Sequence, residues 1–323
     1  MTRFVGHDEA WAEWRAAMAG HRMHHAWILA GREGLGKAHF AAAAAAELVA
    51  EPGTPQPLPA HHPDIHLLTP WPSNDDEAKK KEEGKPYARK RNISVDQIRE
   101  MQRRLVTRPT LGARRAVIVD AADDMEKGAV NALLKSLEEP PQGTFFLLVV
   151  HQLGKLLPTI RSRCLVMRFH PLADADLAQA VSLAAPDADG PNREAALAVS
   201  GGSPGAALAF LEQGLGDTWR VMNRLLHEGD PDFALRGQLS AKLGQRPDRE
   251  RQLAALEAAR MALVRALPVA DDAMRLRVAN AHATLAGLAA QAPTYNFDPG
   301  LLMMEIGGLL ASVAPTREGA KPR

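Results

Sequence analysis

The sequence predicts an α/β domain built on a parallel sheet, followed by a helical C-terminal half. Short apolar runs at 26–30, 116–119 and 145–150 are typical of strands buried on both faces. A segment with helical spacing of apolar residues separates the second run from the third, and this strand–helix–strand order implies parallel pairing. After 171 the apolar residues follow helical spacing, so we expect helices from there onward.

Length and composition limit the kind of protein. A chain of 323 residues, 46% of them hydrophobic, is long enough for two or three domains with real cores. The formal net charge of +1 excludes a global electrostatic attraction to nucleic acid or membranes. The single Cys164 excludes an internal disulfide and a zinc site of several cysteines. Without a signal-like or membrane-spanning apolar run, the expected location is cytoplasmic.

A glycine-rich turn follows the first apolar run and leads into an alanine-rich helical segment. It fits the phosphate-loop pattern G-x-x-x-x-G-K-[ST] at Gly31, Gly36 and Lys37, with Gly34 between them. Such glycines let backbone N–H groups close on phosphate oxygens, and the lysine adds a positive charge. Ala38 replaces the hydroxyl residue that normally holds Mg²⁺. The alternative is a turn kept for packing, and nucleotide binding stays open.

Two segments before the second apolar run carry tempting but weak signals. The range 61–66, His-His-Pro-Asp-Ile-His, contains potential metal ligands, yet it also looks like the entry to a strand, and we favour the second interpretation. The range 73–91 is almost wholly charged, so we expect a solvated, flexible insertion. An alternative is contact with DNA through the basic residues Lys85, Arg89, Lys90 and Arg91.

Ordered structure is expected again from Ser94, which forms a capping box with Gln97 at the start of a helix. The strand 116–120 ends on Asp120, and an acid at the carboxyl end of such a strand faces the crevice where α/β sheets hold ligands. A helix with apolar residues at helical spacing follows and ends before Pro140 and Pro141. The last strand of the domain is 165–169, and short helices are expected at 174–185, 193–199 and 206–212.

One stretch carries a family resemblance. The range 131–141, Asn-Ala-Leu-Leu-Lys-Ser-Leu-Glu-Glu-Pro-Pro, followed by Ser162-Arg163-Cys164, resembles bacterial clamp-loader subunits of the AAA+ superfamily over about 4–169. The resemblance implies an AAA+ nucleotide-binding-type domain at 1–170, a helical lid at 171–214 and a helical collar at 215–323. It also implies a role in the DNA polymerase III holoenzyme, assisting ATP-dependent loading of the sliding clamp on primed DNA.

The resemblance also shows what this chain lacks. Active relatives have a glutamate after the acid that ends the second strand, and here that residue is Ala121. Val150 stands where relatives place a polar sensor, and Gly205 stands near the position of a lid arginine. With Ala38, these changes predict a subunit that does not hydrolyse ATP on its own. We expect no required cofactor and no zinc or other metal, and ATP or ADP binding at the degenerate loop is left open.

By resemblance, Ser162-Arg163-Cys164 projects into the nucleotide site of a neighbouring subunit, where Arg163 acts in trans as an arginine finger. A planar, permanently charged guanidinium suits the charge spread over γ-phosphate oxygens. The alternative is that Arg163 pairs with an acid of its own domain. The expected partners are the ATP-hydrolysing motor subunits, a delta subunit, and, through the complex, the sliding clamp and primed DNA, with no membrane.

Two other functions remain as alternatives. Gly31, Gly36, Lys37 and Asp120 would also suit a working P-loop ATPase, such as a motor-type clamp-loader subunit or a helicase loader. A self-sufficient nucleic-acid-binding module is disfavoured by the near-neutral charge and by an aromatic content of 5%.

Overall fold

A computed structural model describes residues 5–20, 23–244, 247, 249–292 and 297–315 of the chain. The chain divides into two compact units, Met1–Pro171 and Leu172–Arg323. The first is the predicted α/β domain and the second is helical. Within the described part of the chain, no helix is both long enough and apolar enough to cross a membrane.

A parallel sheet forms the centre of the first unit. Its strands are β1 (Ala26–Ala30), β2 (Ile65–Leu68), β3 (Arg115–Asp120), β4 (Thr144–Val150) and β5 (Leu165–Arg168). They lie in the order β2-β3-β4-β1-β5, and every neighbouring pair is parallel. β1 is buried along its whole length, as expected for a strand covered on both faces. The α/β class and the parallel sheet are therefore confirmed.

Helices cover both faces of this sheet. The helices of the unit are α1 (Asp8–Ala19), α2 (Lys37–Val49), α3 (Asp75–Glu82), α4 (Val95–Leu105), α5 (Lys127–Glu138) and α6 (Pro158–Arg161). Because successive strand residues point to opposite faces, Trp27 belongs to the apolar cluster of α1 and α2, whereas Ile28 belongs to the cluster of α4 and α5. The sheet therefore lies between two helix layers, and the loops that follow the strands lie at the edge formed by the carboxyl ends of the strands.

Sequence signals set the ends of two of these helices. At the start of α4, Gln97 Oε1 accepts a hydrogen bond from the backbone N–H of Ser94 at 3.1 Å, which is one half of the predicted capping box. At the end of α5, the chain leaves the helix at Glu139, directly before Pro140 and Pro141. These prolines therefore separate the helix from β4 as predicted.

The charged insertion at 73–91 contains a helix that the sequence analysis did not foresee. Asn74 Oδ1 accepts a hydrogen bond from the backbone N–H of Glu77 at 2.9 Å and caps α3. Acidic residues occupy the first turn and lysines the last, and Lys80 pairs with Glu77 at 2.6 Å. This charge order suits the helix dipole, so the segment forms a helix without an apolar anchor. The flexibility of the insertion stays a prediction.

The second unit consists of helices around one apolar cluster. They are α7 (Asp174–Ala184), α8 (Gly190–Val199), α9 (Pro204–Glu212), α10 (Gly216–Glu228), α11 (Ala234–Leu243), α12 (Arg249–Ala266), α13 (Asp272–Gln291) and α14 (Pro299–Ala311). The cluster includes Val199 of α8 as well as Trp219 of α10 and Leu256 of α12. The separation of a lid at 171–214 from a collar at 215–323 therefore stays a prediction. The sequence also predicts a last helix over 296–313 and a frayed end at 316–323, and both residue 296 and the range 316–323 lie outside the described residues.

Candidate functional site

The glycine-rich turn lies at the carboxyl-end edge of the sheet, between β1 and α2. The backbone N–H of Gly31 donates to the carbonyl oxygen of Val150 at 3.2 Å, which ties the turn to the end of β4. Gly34 and Gly36 have φ angles of 78° and 82°, a region that favours glycine. A side chain at Gly31 would place its Cβ 2.5 Å from the carbonyl oxygen of Phe169. The turn therefore has the glycine-dependent backbone of a phosphate loop.

Lys37 is folded onto the loop itself. Its side chain is buried, and its Nζ donates to the carbonyl oxygens of Gly31 and Arg32, each at 2.6 Å. Burial lowers the pKa of Lys37 to about 8, and the nearby carboxylate of Asp120 acts in the opposite direction. The loop thus presents an ammonium group where a phosphate would sit, but this group already satisfies two carbonyl oxygens.

Asp120 ends β3 beside this loop. Burial raises the pKa of its carboxyl group, while electrostatic interactions with His151, Lys37 and Arg89 oppose the shift. The next residue, Ala121, is only 6% exposed and carries no group that orients water. Together with the missing hydroxyl at Ala38, this arrangement fits a phosphate group but lacks the usual Mg²⁺ ligand and the hydrolytic glutamate.

The acids that follow Asp120 do not replace the missing glutamate. Asp123 accepts hydrogen bonds from the backbone N–H groups of His151 at 3.0 Å and Gln152 at 2.9 Å, so its carboxylate holds the turn after β4. The pKa of Asp124 is raised by burial and then by the charge of Asp123. Val150 is fully buried and apolar at the end of β4. The sequence analysis did not assign a role to Asp123 or to His151, although His151 directly follows a predicted strand.

The residues predicted at the nucleotide site therefore come together in the first unit, with one exception. Strand register places Asp120 opposite Val149 and Ala30 opposite Val150, so the loop, the acid and the end of β4 share one edge of the sheet. Gly205 lies in the first turn of α9, in the second unit. Its predicted correspondence to a lid arginine stays a prediction.

The corner formed by Ser162, Arg163 and Cys164 lies between α6 and β5, at the surface. Ser162 is exposed, and the side chain of Arg163 is 36% exposed. Nη2 of Arg163 donates to Oε1 of Glu138 at 2.7 Å, and Nη1 donates to the carbonyl oxygen of Thr159 at 2.9 Å. The pairing with an acid of the same domain, weighed as the alternative to a finger, is therefore present. The corner is nevertheless accessible from outside, so the role in trans stays a prediction.

Cys164 has no features of a nucleophile. Its side chain packs against the apolar cluster beneath α4 and α5. Burial raises the pKa of its thiol to about 12, so the thiolate is disfavoured at neutral pH. The residue serves the packing of this corner.

The histidine-rich range 61–66 is used for local structure. His62 Nε2 lies 2.7 Å from Oε1 of Gln56, and His62 Nδ1 accepts from the backbone N–H of Asp64 at 3.0 Å. Asp64 accepts from the backbone N–H groups of Thr110 and Leu111 at 2.6 and 2.7 Å. Among the residues described, no group of histidine, cysteine and acidic side chains has the arrangement of a metal site.

Basic residues of the insertion lie beside aromatic rings and an acid. Lys90 Nζ lies 5.8 Å from the centre of the Trp71 ring, and the Arg89 guanidinium lies 5.2 Å from that of Tyr87. Lys85 pairs with Glu83 at 2.6 Å. Contact of this surface with DNA stays a prediction.

Comparisons with known proteins are consistent with this geometry. A model of the family described as "DNA polymerase III, delta subunit" matches residues 6–173. The sequence is 38% identical over 211 residues to the DNA polymerase III subunit delta' of Pseudomonas aeruginosa, covering 61% of this chain and 59% of the relative. It is 37% identical over 166 residues to that of Escherichia coli, covering 51% and 43%. The chain therefore spans about half the length of the relatives that it matches.

A solved structure is similar in fold over most of the chain. The DNA polymerase III gamma subunit-related protein of Thermotoga maritima superposes with a TM-score of 0.51 at 18% sequence identity. The superposition covers 94% of this chain and 99% of that protein. At this level of identity the likeness shows the fold alone, a parallel α/β unit followed by helices.

Proposed function

The chain belongs to the DNA polymerase III, delta subunit family, and on this premise we propose that it is a delta-prime-type subunit of a bacterial clamp loader. In this role it does not hydrolyse ATP itself. It assists ATP-dependent loading of the sliding clamp on primed DNA within the DNA polymerase III holoenzyme. Its partners are ATP-hydrolysing motor subunits and a delta subunit, and it meets the sliding clamp and primed DNA through the complex.

The observation that carries this proposal is the contrast between the phosphate loop and the Arg163 corner. The loop keeps its backbone and Lys37, while the hydroxyl, the glutamate and the polar sensor are replaced by Ala38, Ala121 and Val150. Removal of one group that stabilises a transition state typically costs orders of magnitude in rate, so three such replacements disable hydrolysis. The family motif at Ser162 to Cys164 is complete, with Ser162 exposed and Arg163 partly exposed.

The remaining residues of the loop retain one chemical capacity. The backbone N–H groups around Gly34 and Gly36, together with Lys37, suit the phosphates of ATP or ADP. A bound nucleotide would bring the negative charge of its phosphates to this loop. Lys37 would then exchange its hydrogen bonds to two carbonyl oxygens for hydrogen bonds to phosphate oxygens. No hydrolytic step is expected at this loop, because Ala121 stands where active relatives have the glutamate that orients water.

The chemistry that this chain contributes lies at Arg163. An arginine finger stabilises the negative charge that spreads over the γ-phosphate of a neighbour, and its guanidinium stays charged at any physiological pH. Its position on an exposed turn, close to the surface helix α5, supports such presentation. The motor subunit would supply the nucleotide, the Mg²⁺ and the attacking water.

The test compares ATP turnover by the purified chain with turnover by the complex reconstituted with its motor and delta subunits. We expect the chain alone to stay at the background level of a Lys37→Ala variant. We expect the complex to hydrolyse ATP, and Arg163→Ala in this chain to lower its turnover. Unchanged turnover with Arg163→Ala would contradict the finger.

A second candidate is a working P-loop ATPase, and one observation favours it: Lys37 and Asp120 lie close enough for their charges to influence each other. This pair of a loop lysine and a strand acid is the core of an active nucleotide site. Brisk turnover by the chain alone, lost in the Lys37→Ala variant, would support this candidate and overturn the first.

A further inference from the structure

We propose that Glu138 is a positioning residue for Arg163: its carboxylate holds the guanidinium at the surface in the orientation presented to the neighbouring subunit. This inference rests on the proposed role of Arg163 as a finger and adds a residue of this chain to it. Glu138 ends α5, while Arg163 follows α6, so a contact between two elements orients the finger.

The helix that carries Glu138 is fixed in place. Leu133 and Leu137 of α5 are buried under the sheet. Gln102 Nε2 donates to the carbonyl oxygen of Ala132 at 2.8 Å, and His25 Nε2 donates to that of Leu137 at 2.9 Å. Because Leu137 directly precedes Glu138, the backbone under the carboxylate has little freedom to move.

The backbone of Arg163 is held as well. Its N–H donates to the carbonyl oxygen of Ile160 at 3.0 Å, and Ile160 is fully buried. Nη1 donates to the carbonyl oxygen of Thr159 at 2.9 Å and lies 3.4 Å from Oγ of Ser162. The side chain therefore leaves a fixed turn and reaches Glu138 as its only ion-pair partner among the described residues.

The pair leaves donors of the finger available. A guanidinium carries five N–H groups in a planar fork. Within the described part of the chain, Nη1 and Nη2 each have partners, whereas Nε has none. With the side chain 36% exposed, the remaining N–H groups can face a phosphate while Glu138 keeps the fork oriented. A carboxylate on one edge of the fork is therefore compatible with a phosphate on another.

The pair is expected to act on orientation rather than on fold stability. The side chains of Arg163 and Glu138 are 36% and 49% exposed, and ion pairs in such surroundings contribute little to stability. A free arginine side chain samples many rotamers, and restricting them before the neighbour binds removes part of that entropic cost from the reaction. We expect loss of the pair to lower turnover about three- to tenfold.

The experiment uses the reconstituted complex with variants in this chain. Glu138→Ala removes the acceptor, Glu138→Gln keeps an oxygen acceptor without the charge, and Glu139→Ala is the matched control. Glu139 is exposed, adjacent in sequence and, among the described residues, without an ion pair. Thermal melting of each variant tests whether the fold is retained.

We expect Glu138→Ala to lower kcat for ATP about three- to tenfold at an unchanged KM, because the finger acts in the transition state. Glu138→Gln should recover most of the loss, and Glu139→Ala should match wild type. Glu138→Ala added to Arg163→Ala should cause no further loss. Turnover at or above the wild-type level in Glu138→Ala, with Arg163→Ala impaired, overturns the positioning role alone. No loss in Arg163→Ala overturns the finger itself.

Discussion

Restoring the missing glutamate by Ala121→Glu is the perturbation that tests most sharply how far the nucleotide site has been lost. Ala121 is 6% exposed and Ala122 is 1% exposed, so the new methylene and carboxylate enter closely packed surroundings. The added carboxylate would also lie near Asp120, whose pKa burial already raises. We therefore expect the variant to lose stability and to gain no hydrolysis.

The magnitude follows from two contributions. Forcing extra volume into a packed position typically costs about 1–3 kcal/mol. Each unit by which burial raises the pKa of the new carboxyl group adds about 1.4 kcal/mol. We expect a total loss of about 2–4 kcal/mol in the free energy of unfolding. Ala121→Gln has nearly the same shape without the charge, so the difference between the two variants isolates the electrostatic part.

Urea unfolding followed by tryptophan fluorescence provides the assay, since Trp14 and Trp27 are buried in the first unit. ATP turnover is measured on the same samples. Because Ala38 and Val150 are still in place, Ala121→Glu should stay at background. An Ala121→Glu variant that is as stable as wild type and hydrolyses ATP in a Lys37-dependent manner would contradict this prediction.

Two further predictions concern stability. In the second unit, the buried carboxylate of Asp230 accepts hydrogen bonds from Nε of Arg236 and from the backbone N–H of Leu235, each at 2.9 Å. Asp230→Ala should lower the free energy of unfolding by about 2–4 kcal/mol, measured by urea unfolding. An unchanged urea midpoint would contradict this prediction. Burial lowers the pKa values of His25 and His66 below 6.5, so near and below that pH the unfolded state binds more protons than the folded state. The free energy of unfolding should therefore be highest above about pH 6.5 and decrease as the pH falls below it. The decrease should be less steep in a His25→Gln/His66→Gln variant, and thermal melting at a series of pH values measures it.

The sheet was predictable because its strands carry their own signal. β1, β3 and β4 are apolar runs, and the helix between β3 and β4 ends before Pro140 and Pro141, so the positions of these strands in the chain and the parallel arrangement of β3 and β4 followed from the local pattern. The phosphate loop was predictable for the same reason, since glycines at fixed spacing impose one backbone. Its lost ligand at Ala38 could be read directly from the sequence.

The side-chain contacts of the site could not be predicted from the local sequence pattern. Glu138 and Arg163 are separated by a strand and a short helix, and only their tertiary placement brings the two charges together. The folding of Lys37 onto the carbonyl oxygens of its own loop depends on backbone geometry that the motif does not specify. The helix α3 was missed because capping by Asn74 and side-chain ion pairs, rather than apolar spacing, define it.

We propose that this chain completes a neighbour's active site and does not hydrolyse ATP at its own. The most direct measurement is single-turnover ATP hydrolysis in the reconstituted complex, with wild-type chain and with Arg163→Ala, alongside the chain alone. We expect no hydrolysis by the chain alone and a rate in the complex that falls at least tenfold with Arg163→Ala, because a charged transition-state contact is lost. Equal rates with both chains, or hydrolysis by the isolated chain, would contradict it.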